Sequence, residues 1–549
     1  MILPMLSIVF WKGQMPLNVT TIFNSATLLG TVVGQVTFGV LADRYGRKKM
    51  YGLELLIVIF ATLALALSSR GTANSINIVG WLAFWRLLVG FGIGGDYPLS
   101  AVITAEFAPR KHRARMLAAV FFMQPVGQLI ANIVAIVSTA AYHHYISHDA
   151  DPLDCTGECL QTTDKIWRWV AGIGAIPPAI AVLFRLFIPE SPRYMLEVEM
   201  DSGTAVHDSN RYYRRSSVGD VEELTVIDNA QTTEMHLANQ PPHQPDLQHQ
   251  NDEIREYRAH LTVPPEPAGF ASSSTQGSSG EIKDSVTVVG TAATSLRRSA
   301  SIHSNGSVLS AISSIPPDPA SEATNSQPAE RPRARKPTWK QYQTGFYKYF
   351  IEDGNWTDLA GTASTWLLLD FSFYFLGVNS SQIIANIWGT SDTATVYEIL
   401  MQNGWRALIT TSIGAMVGGA IIIPMLFFNL GPNTTTFMIP AEVFPTQFRA
   451  TCHGISAASG KVGSILAQIF LAYTKFNHKG VTDEHSTWLG WVLVVFTVFM
   501  ISGAAITHFW VPNPCNIRGS SRSLETLALG KAHRKRLEEA ERLADVNGS

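Results

Sequence analysis

Two aspartates and one lysine stand inside long apolar runs of this chain. Asp96, Asp370 and Lys461 each fall within a stretch that otherwise reads as hydrocarbon-facing. An ionised group in hydrocarbon is expensive, so such residues usually face a cavity and mark a substrate or proton path. Burial favours the neutral form of a carboxylate, which suits reversible protonation. Trp366, Asp370 and Tyr374 follow one another at intervals of four and share one helix face. That face offers an indole N–H, a carboxyl and a phenol, all able to donate to an anion's oxygen once Asp370 is protonated. Lys461 supplies a cation, and in a low-dielectric cavity one cation can balance much of a monoanion's charge.

The elements that must hold these residues are membrane spans. The chain has 549 residues and a net charge of −2, with 41 basic and 43 acidic side chains. Of these charges, 31 lie in residues 195–338 and 12 in residues 516–549. The remaining 371 residues carry 41, about 11%, against roughly 25% in a soluble domain. A spanning helix needs about 20 mostly apolar residues. Residues 21–42, 52–69, 80–104, 116–141 and 166–188 qualify, then 357–381, the long stretch 405–440, 451–473 and 488–509. Residues 1–11 are apolar but reach only about half a span, and they lack the cationic start of a signal peptide.

Charge sets the orientation. Arg44, Arg47, Lys48 and Lys49 crowd one short loop, and Arg110, Lys111, Arg113 and Arg115 another. Short basic loops face the cytoplasm. Alternation then places the loop of Cys155 and Cys159 outside, where the two could pair. It places the polar segment and the basic C-terminal tail inside. The segment from about 206 to 338 is too polar to offset its ordering entropy and reads as disordered. Within it, Arg298–Ser301 has the form that basophilic kinases use, so kinases are possible partners. The near-neutral charge gives no footprint for nucleic acid. No CxxC or HExxH spacing suggests a metal, no cofactor is expected, and no nucleophile–base pair suggests an enzyme. Asn18 and Asn379 begin glycosylation patterns near outside loops.

Three motifs identify a superfamily. Residues 39–49 read GVLADRYGRKK, with Gly39, Asp43, Arg44, Gly46 and Arg47 at its key positions. Residues 86–94 read RLLVGFGIG, and residues 189–193 read PESPR. Together they resemble the major facilitator superfamily. Asp43 can cap a helix start and pair with arginine, and the glycines permit close helix packing. Narrower matches occur at 94–101 (GGDYPLSA), 366–374 (WLLLDFSFY), 431–437 (GPNTTTF) and 453–461 (HGISAASGK). These resemble the fungal and plant phosphate:proton symporters of the plasma membrane.

The resemblance implies an all-α membrane protein of two pseudo-symmetric bundles that imports inorganic phosphate with protons by alternating access. The implied phosphate-contacting set is Tyr97, Gln124, Trp366, Asp370, Tyr374, Asn433 and Lys461. Asp96 would join Asp370 in proton coupling, and Arg86 could tune Asp96 from the same helix. Other roles stay open for several of them. Tyr97, Trp366 and Tyr374 could be packing or interfacial residues, and Gln124 and Asn433 could bond neighbouring helices. Asp43 and Glu106 are expected to pair with cytoplasmic arginines, and Cys452 and Met123 to be core. Two further functions stay open: import of glycerophosphodiesters or other organic phosphates, and phosphate sensing without transport.

The resemblance also has gaps. The superfamily has twelve spans, and about nine and a half are found here. Residues 1–11 resemble only the end of the first helix, without its acidic residues. The stretch 405–440 starts like the eighth helix and ends like the tenth, so it reads as a fusion without the ninth. Such a product of an incomplete gene model or splice variant could be inactive. The expected domains are an N-terminal bundle at 1–194, a cytoplasmic loop at 195–354, a C-terminal bundle at 355–512 and a cytoplasmic tail at 513–549.

Overall fold

The structure is a computed structural model that describes residues 2–146, 155–198, 338–378, 395–409, 431–476, 485–515 and 522–547. The elements of the first half are α1 (Ile2–Trp11), α2 (Leu17–Tyr45), α3 (Leu53–Ala66), α4 (Ile78–Phe107), α5 (Arg113–Ala141), α6 (Glu158–Ile173), α7 (Ile176–Arg185) and α8 (Pro192–Glu197). The second half contributes α9 (Trp339–Tyr347), α10 (Trp356–Val378), α11 (Val396–Ala407), α12 (Pro432–Val443), α13 (Arg449–Phe476) and α14 (His485–Trp510). Two helices close the chain, α15 (Leu524–Ala528) and α16 (Lys531–Asn547). Among the described residues, seven segments are long and apolar enough to cross a membrane. The 23-residue α10 adds a further helix of spanning length.

The helices lie close because glycines remove side chains where backbones meet. A Cβ at Gly30 or Gly34 of α2 would collide with the carbonyls of Leu87 and Phe91 on α4. Gly90 and Gly94 return the favour, lying against Thr27 and Thr31. The same device joins the two halves of the chain. Gly39 of α2 lies on the carbonyl of Ala450, and Gly454 of α13 on that of Gln35. The α2–α13 seam is therefore a backbone-to-backbone contact.

Several expected boundaries shift. The fifth span begins earlier than hydropathy suggests, because α6 opens with a polar turn, Glu158–Asp164, and only then becomes apolar. A disulfide joins Cys155 to Cys159 at its start. Within the loop expected at 195–354, residues 339–352 form α9 and a π-helical turn at Lys348–Glu352. Thr338 and Gln341 make a reciprocal capping box there. Tyr342 and Phe350 then bury themselves against Val443, Phe444 and Phe448. The tail is also folded against the bundle. Leu524 and Leu527 are fully buried, and Arg534 pairs with Asp358. Met123 corrects an expectation: it is 59% exposed on α5, whereas Cys452 is fully buried. The centre of the proposed fusion, the Arg298–Ser301 motif, most of the polar loop and Asn379 lie outside the described residues.

Candidate functional site

The Trp366–Asp370–Tyr374 face of α10 meets Lys461 of α13. The Lys461 ammonium donates to Asp370 Oδ2 at 2.8 Å and to Tyr374 Oη at 2.9 Å. Gly460 makes this approach possible, since a Cβ there would stand 2.6 Å from Trp366 Cδ1 and 2.9 Å from Asp370 Oδ2. All of Trp366, Asp370 and Lys461 are buried. A buried ion pair of this geometry satisfies both charges while leaving the phenol and indole beside them.

The other half of the chain closes the site. Tyr97 of α4 lies with its ring 5.3 Å from the Lys461 nitrogen, a cation–π distance. Its hydroxyl donates to Gln124 Oε1 of α5 at 3.3 Å. The Phe437 ring of α12 packs beside them, its centroid 5.9 Å from that of Tyr97 and 5.3 Å from that of Phe121 on α5. Asn433, one helical turn before Phe437, is buried on the same side of α12. His453 donates from Nε2 to the Phe437 carbonyl (3.0 Å) and sits edge-on to Trp366. Tyr97, Gln124, Trp366, Asp370, Tyr374 and Lys461 are thus joined by direct contacts, and Phe437 links Asn433's helix to them. This collection offers one cation, one carboxyl and a ring of neutral donors, a set suited to an oxyanion.

Asp96 sits apart from this pair. Its carboxylate accepts from Arg185 of α7 at 2.6 Å, and the other arm of Arg185 donates to Glu54 at 2.7 Å. The guanidinium also stacks 3.7 Å from the Tyr51 ring. Arg86 does not reach Asp96. It lies almost three turns away along α4, with its guanidinium 5.9 Å from the Phe23 ring. The cation that faces Asp96 is therefore Arg185.

The basic loop motif forms a second charged centre where α2 ends. Gly46 adopts φ +106°, which lets α2 end and the chain turn into Arg47. Arg47 is fully buried and pairs with Asp43 (3.1 Å) and Glu106 (3.3 Å). Its guanidinium also donates to the Thr446 carbonyl and stacks on Tyr194. Glu106 takes a second cation, Arg449 at 3.2 Å, and accepts from the Ser191 hydroxyl. Asp43 accepts the backbone N–H of Ala450 and of Thr451 at 3.2 and 2.7 Å. Those are orphan donors of the first turn of α13, where a carboxylate is favoured by the helix dipole. Glu190 of the PESPR motif accepts from the N–H groups of Arg47 and Lys48. Burial pushes the Glu190 carboxyl above the usual range, and the Arg47 charge opposes that push. Arg44 lies outside this centre, over the Tyr45 ring.

Four participants were not singled out from sequence. Glu54 could have been, since it too is a carboxylate in an apolar run. Arg185 looked like an ordinary basic residue at a span's end. Ser464 and Gln468 are buried one and two turns beyond Lys461 on α13, but neutral residues leave no charge signal. Gln468 accepts from Asn24 of α2 at 3.4 Å.

Known proteins resemble this chain in sequence. The family described as sugar (and other) transporter matches residues 13–236 and 385–517. A repressible high-affinity phosphate permease of Neurospora crassa is 32% identical, over 92% of this chain and 80% of the permease. The inorganic phosphate transporter PHO84 of Saccharomyces cerevisiae is 30% identical, over 92% of this chain and 77% of its own. Among solved structures, the proton:xylose symporter XylE aligns with a TM-score of 0.48 and 13% identity, over 96% of this chain and 93% of XylE. The helical spans, the motifs and the family match together make this chain a multi-pass membrane protein of the sugar (and other) transporter family, within the major facilitator superfamily.

Proposed function

We propose that this chain imports inorganic phosphate together with protons across the plasma membrane, by alternating access, with its C-terminal tail in the cytoplasm. The observation that carries the reading is the buried Lys461–Asp370 pair set among Tyr97, Gln124, Trp366 and Tyr374. The names of the phosphate-transporting relatives supply the substrate class.

Electrostatics links the proton to the anion. With Asp370 ionised, the Lys461 charge is already neutralised and a phosphate oxygen beside it would meet a carboxylate. Protonation of Asp370 releases the ammonium and turns the carboxyl into a donor. Phosphate monoanion then restores neutrality, so proton and phosphate enter a dry cavity more easily together than singly. Tyr97, Tyr374 and Trp366 donate to the bound oxygens, and the amides of Gln124 and Asn433 complete the cage. Asp96 serves as a second proton group, with Arg185 holding its carboxylate ready. Rocking of the two halves along the α2–α13 seam carries the loaded site from outside to inside.

Uptake of labelled phosphate in cells lacking their own phosphate importers tests this directly. The expected result is pH-dependent uptake that Asp370→Asn abolishes, with little competition from glycerophosphoinositol. Strong competition would favour an organic-phosphate importer. No uptake, with altered starvation signalling, would refute transport and favour a sensor. Unchanged uptake in Asp370→Asn would refute the proton role of that residue.

A further inference from the structure

The helix α9 has two faces that do different things. Tyr342, Phe346 and Phe350 turn into the bundle, where the Tyr342 hydroxyl bonds Thr451 at 2.7 Å. Thr451 is the residue whose N–H caps onto Asp43, so α9 lies at the end of the bundle that carries the basic loop. A second facet points outward. Trp339, Tyr347 and Ile351 are 50, 56 and 54% exposed. Tyr347 and Ile351 are four residues apart and share one side of the helix, whereas Trp339 lies about 80° round from Tyr347, with its ring stacked on Tyr342 at the edge of the inward face. The wider π-helical turn at Lys348–Glu352 carries Ile351 back into line with Tyr347. Exposed lysines, Lys340 and Lys348, border this stripe.

Neither water nor the bundle explains such a stripe. Trp and Tyr are enriched where a membrane meets water, and lysine beside them adds attraction to anionic headgroups. The neighbouring residues mark that plane. Trp356 opens α10 five residues after Ile351, and its ring lies 6.0 Å from Trp510 at the end of α14. Both tryptophans are partly exposed at the same end of two spanning helices. The stripe of α9 continues this belt.

We propose that α9 and its π-helical turn form an interfacial helix seated on the anionic phospholipid surface of the cytoplasmic leaflet. Trp339, Tyr347 and Ile351 enter the headgroup boundary, and Lys340 and Lys348 engage lipid phosphates and carboxylates. The lipid surface thereby holds the segment that leads into α10, the helix that carries Trp366, Asp370 and Tyr374. The energetic signature is that of other interfacial helices, in which apolar insertion and charge attraction add.

The test uses the full chain in liposomes with a nitroxide at Gln343→Cys, which lies in the stripe but leaves its aromatic residues intact. Cys515 is replaced by serine, Cys452 is buried, and a label at His533→Cys on the exposed side of α16 serves as the aqueous reference. Collision with oxygen and with a water-soluble nickel chelate reports depth. In phosphatidylcholine mixed with phosphatidylserine, the 343 label should favour oxygen and the 533 label nickel. Lys340→Glu with Lys348→Glu should move the 343 label toward water. A 343 label as nickel-accessible as the reference overturns the proposal. So does a label shielded from both reagents, as a covering by residues 199–337 or by a second copy would produce. Equal immersion in pure phosphatidylcholine overturns the role given to the lysines.

Discussion

Asp370→Asn should destabilise the fold as well as transport, because it strands Lys461. The two charges lie 2.8 Å apart with side chains only 5 and 2% exposed. At an effective dielectric of about 20, their attraction is about 6 kcal/mol. Asparagine keeps one carbonyl acceptor for the ammonium and loses the charge. Removing one member of a buried pair typically costs about 3–5 kcal/mol, since the other charge is left uncompensated. Lys461→Met should cost a similar amount. The double variant should lose much less than the two singles together, giving a coupling within the range of about 1.5–7 kcal/mol seen for close charge pairs. Equilibrium unfolding of the purified protein in mixed micelles, titrated with SDS, measures all four corners of the cycle. Additive single effects, or an Asp370→Asn loss below about 1 kcal/mol, would refute the claim that this pair organises the core of the site.

Three other perturbations follow from single contacts. Gly460→Ala puts a Cβ 2.6 Å from Trp366 and should cost about 1–3 kcal/mol of packing. In uptake assays it should raise KM for phosphate more than it lowers expression. Arg534→Ala leaves the buried Asp358 carboxylate without its guanidinium, a loss of about 3–5 kcal/mol. Limited proteolysis should then release the tail helices that the parent protects. Cys155→Ser opens a disulfide that spans a separation of 4 residues, for which loop entropy gives about 2 kcal/mol. A lowered Tm that reductant no longer shifts would be the signature.

Charge made much of this molecule readable. Lipid tolerates few ions, so Asp96, Asp370 and Lys461 stood out against their surroundings, and each proves to have a charged partner. The partners were harder to foresee. Asp96 is held by Arg185 from a helix more than eighty residues away in sequence, whereas Arg86 shared its helix and suggested itself by proximity. Helical geometry argues against Arg86, since ten residues of α-helix separate the two by about 15 Å. Glu106 and Asp43 were expected among arginines, yet Asp43's second role depends on where α13 begins, which no local pattern of α2 encodes. Ser464 and Gln468 are neutral and look like ordinary helix residues. The polar composition of the loop masked α9, which with its π-helical turn packs Tyr342, Phe346 and Phe350 against the bundle and leaves most of its other positions outward. Hydropathy averages over such a helix and misses it.

One helix connects the site to the seam between the halves. α13 begins with the N–H groups that Asp43 accepts, then places Gly454 on the backbone of Gln35, Lys461 in the site, and Gln468 against Asn24. The two ends of this seam differ in strength. At the end that carries the basic loop motif, separation would break the Arg47–Thr446 and Arg449–Glu106 contacts and both backbone bonds to Asp43. Charge-assisted bonds of that kind contribute about 1.5–3 kcal/mol each. At the other end, a neutral amide contact of 3.4 Å is among the links that must open. A neutral bond contributes about 1 kcal/mol. Because Lys461 is carried by α13 while Tyr97 belongs to α4, which is locked to α2 by its glycines, any rotation about the seam changes the Lys461–Tyr97 distance. In the proposed rocking, opening at either end would therefore alter the geometry of the candidate anion site itself, with no separate relay between it and the charged loop motif.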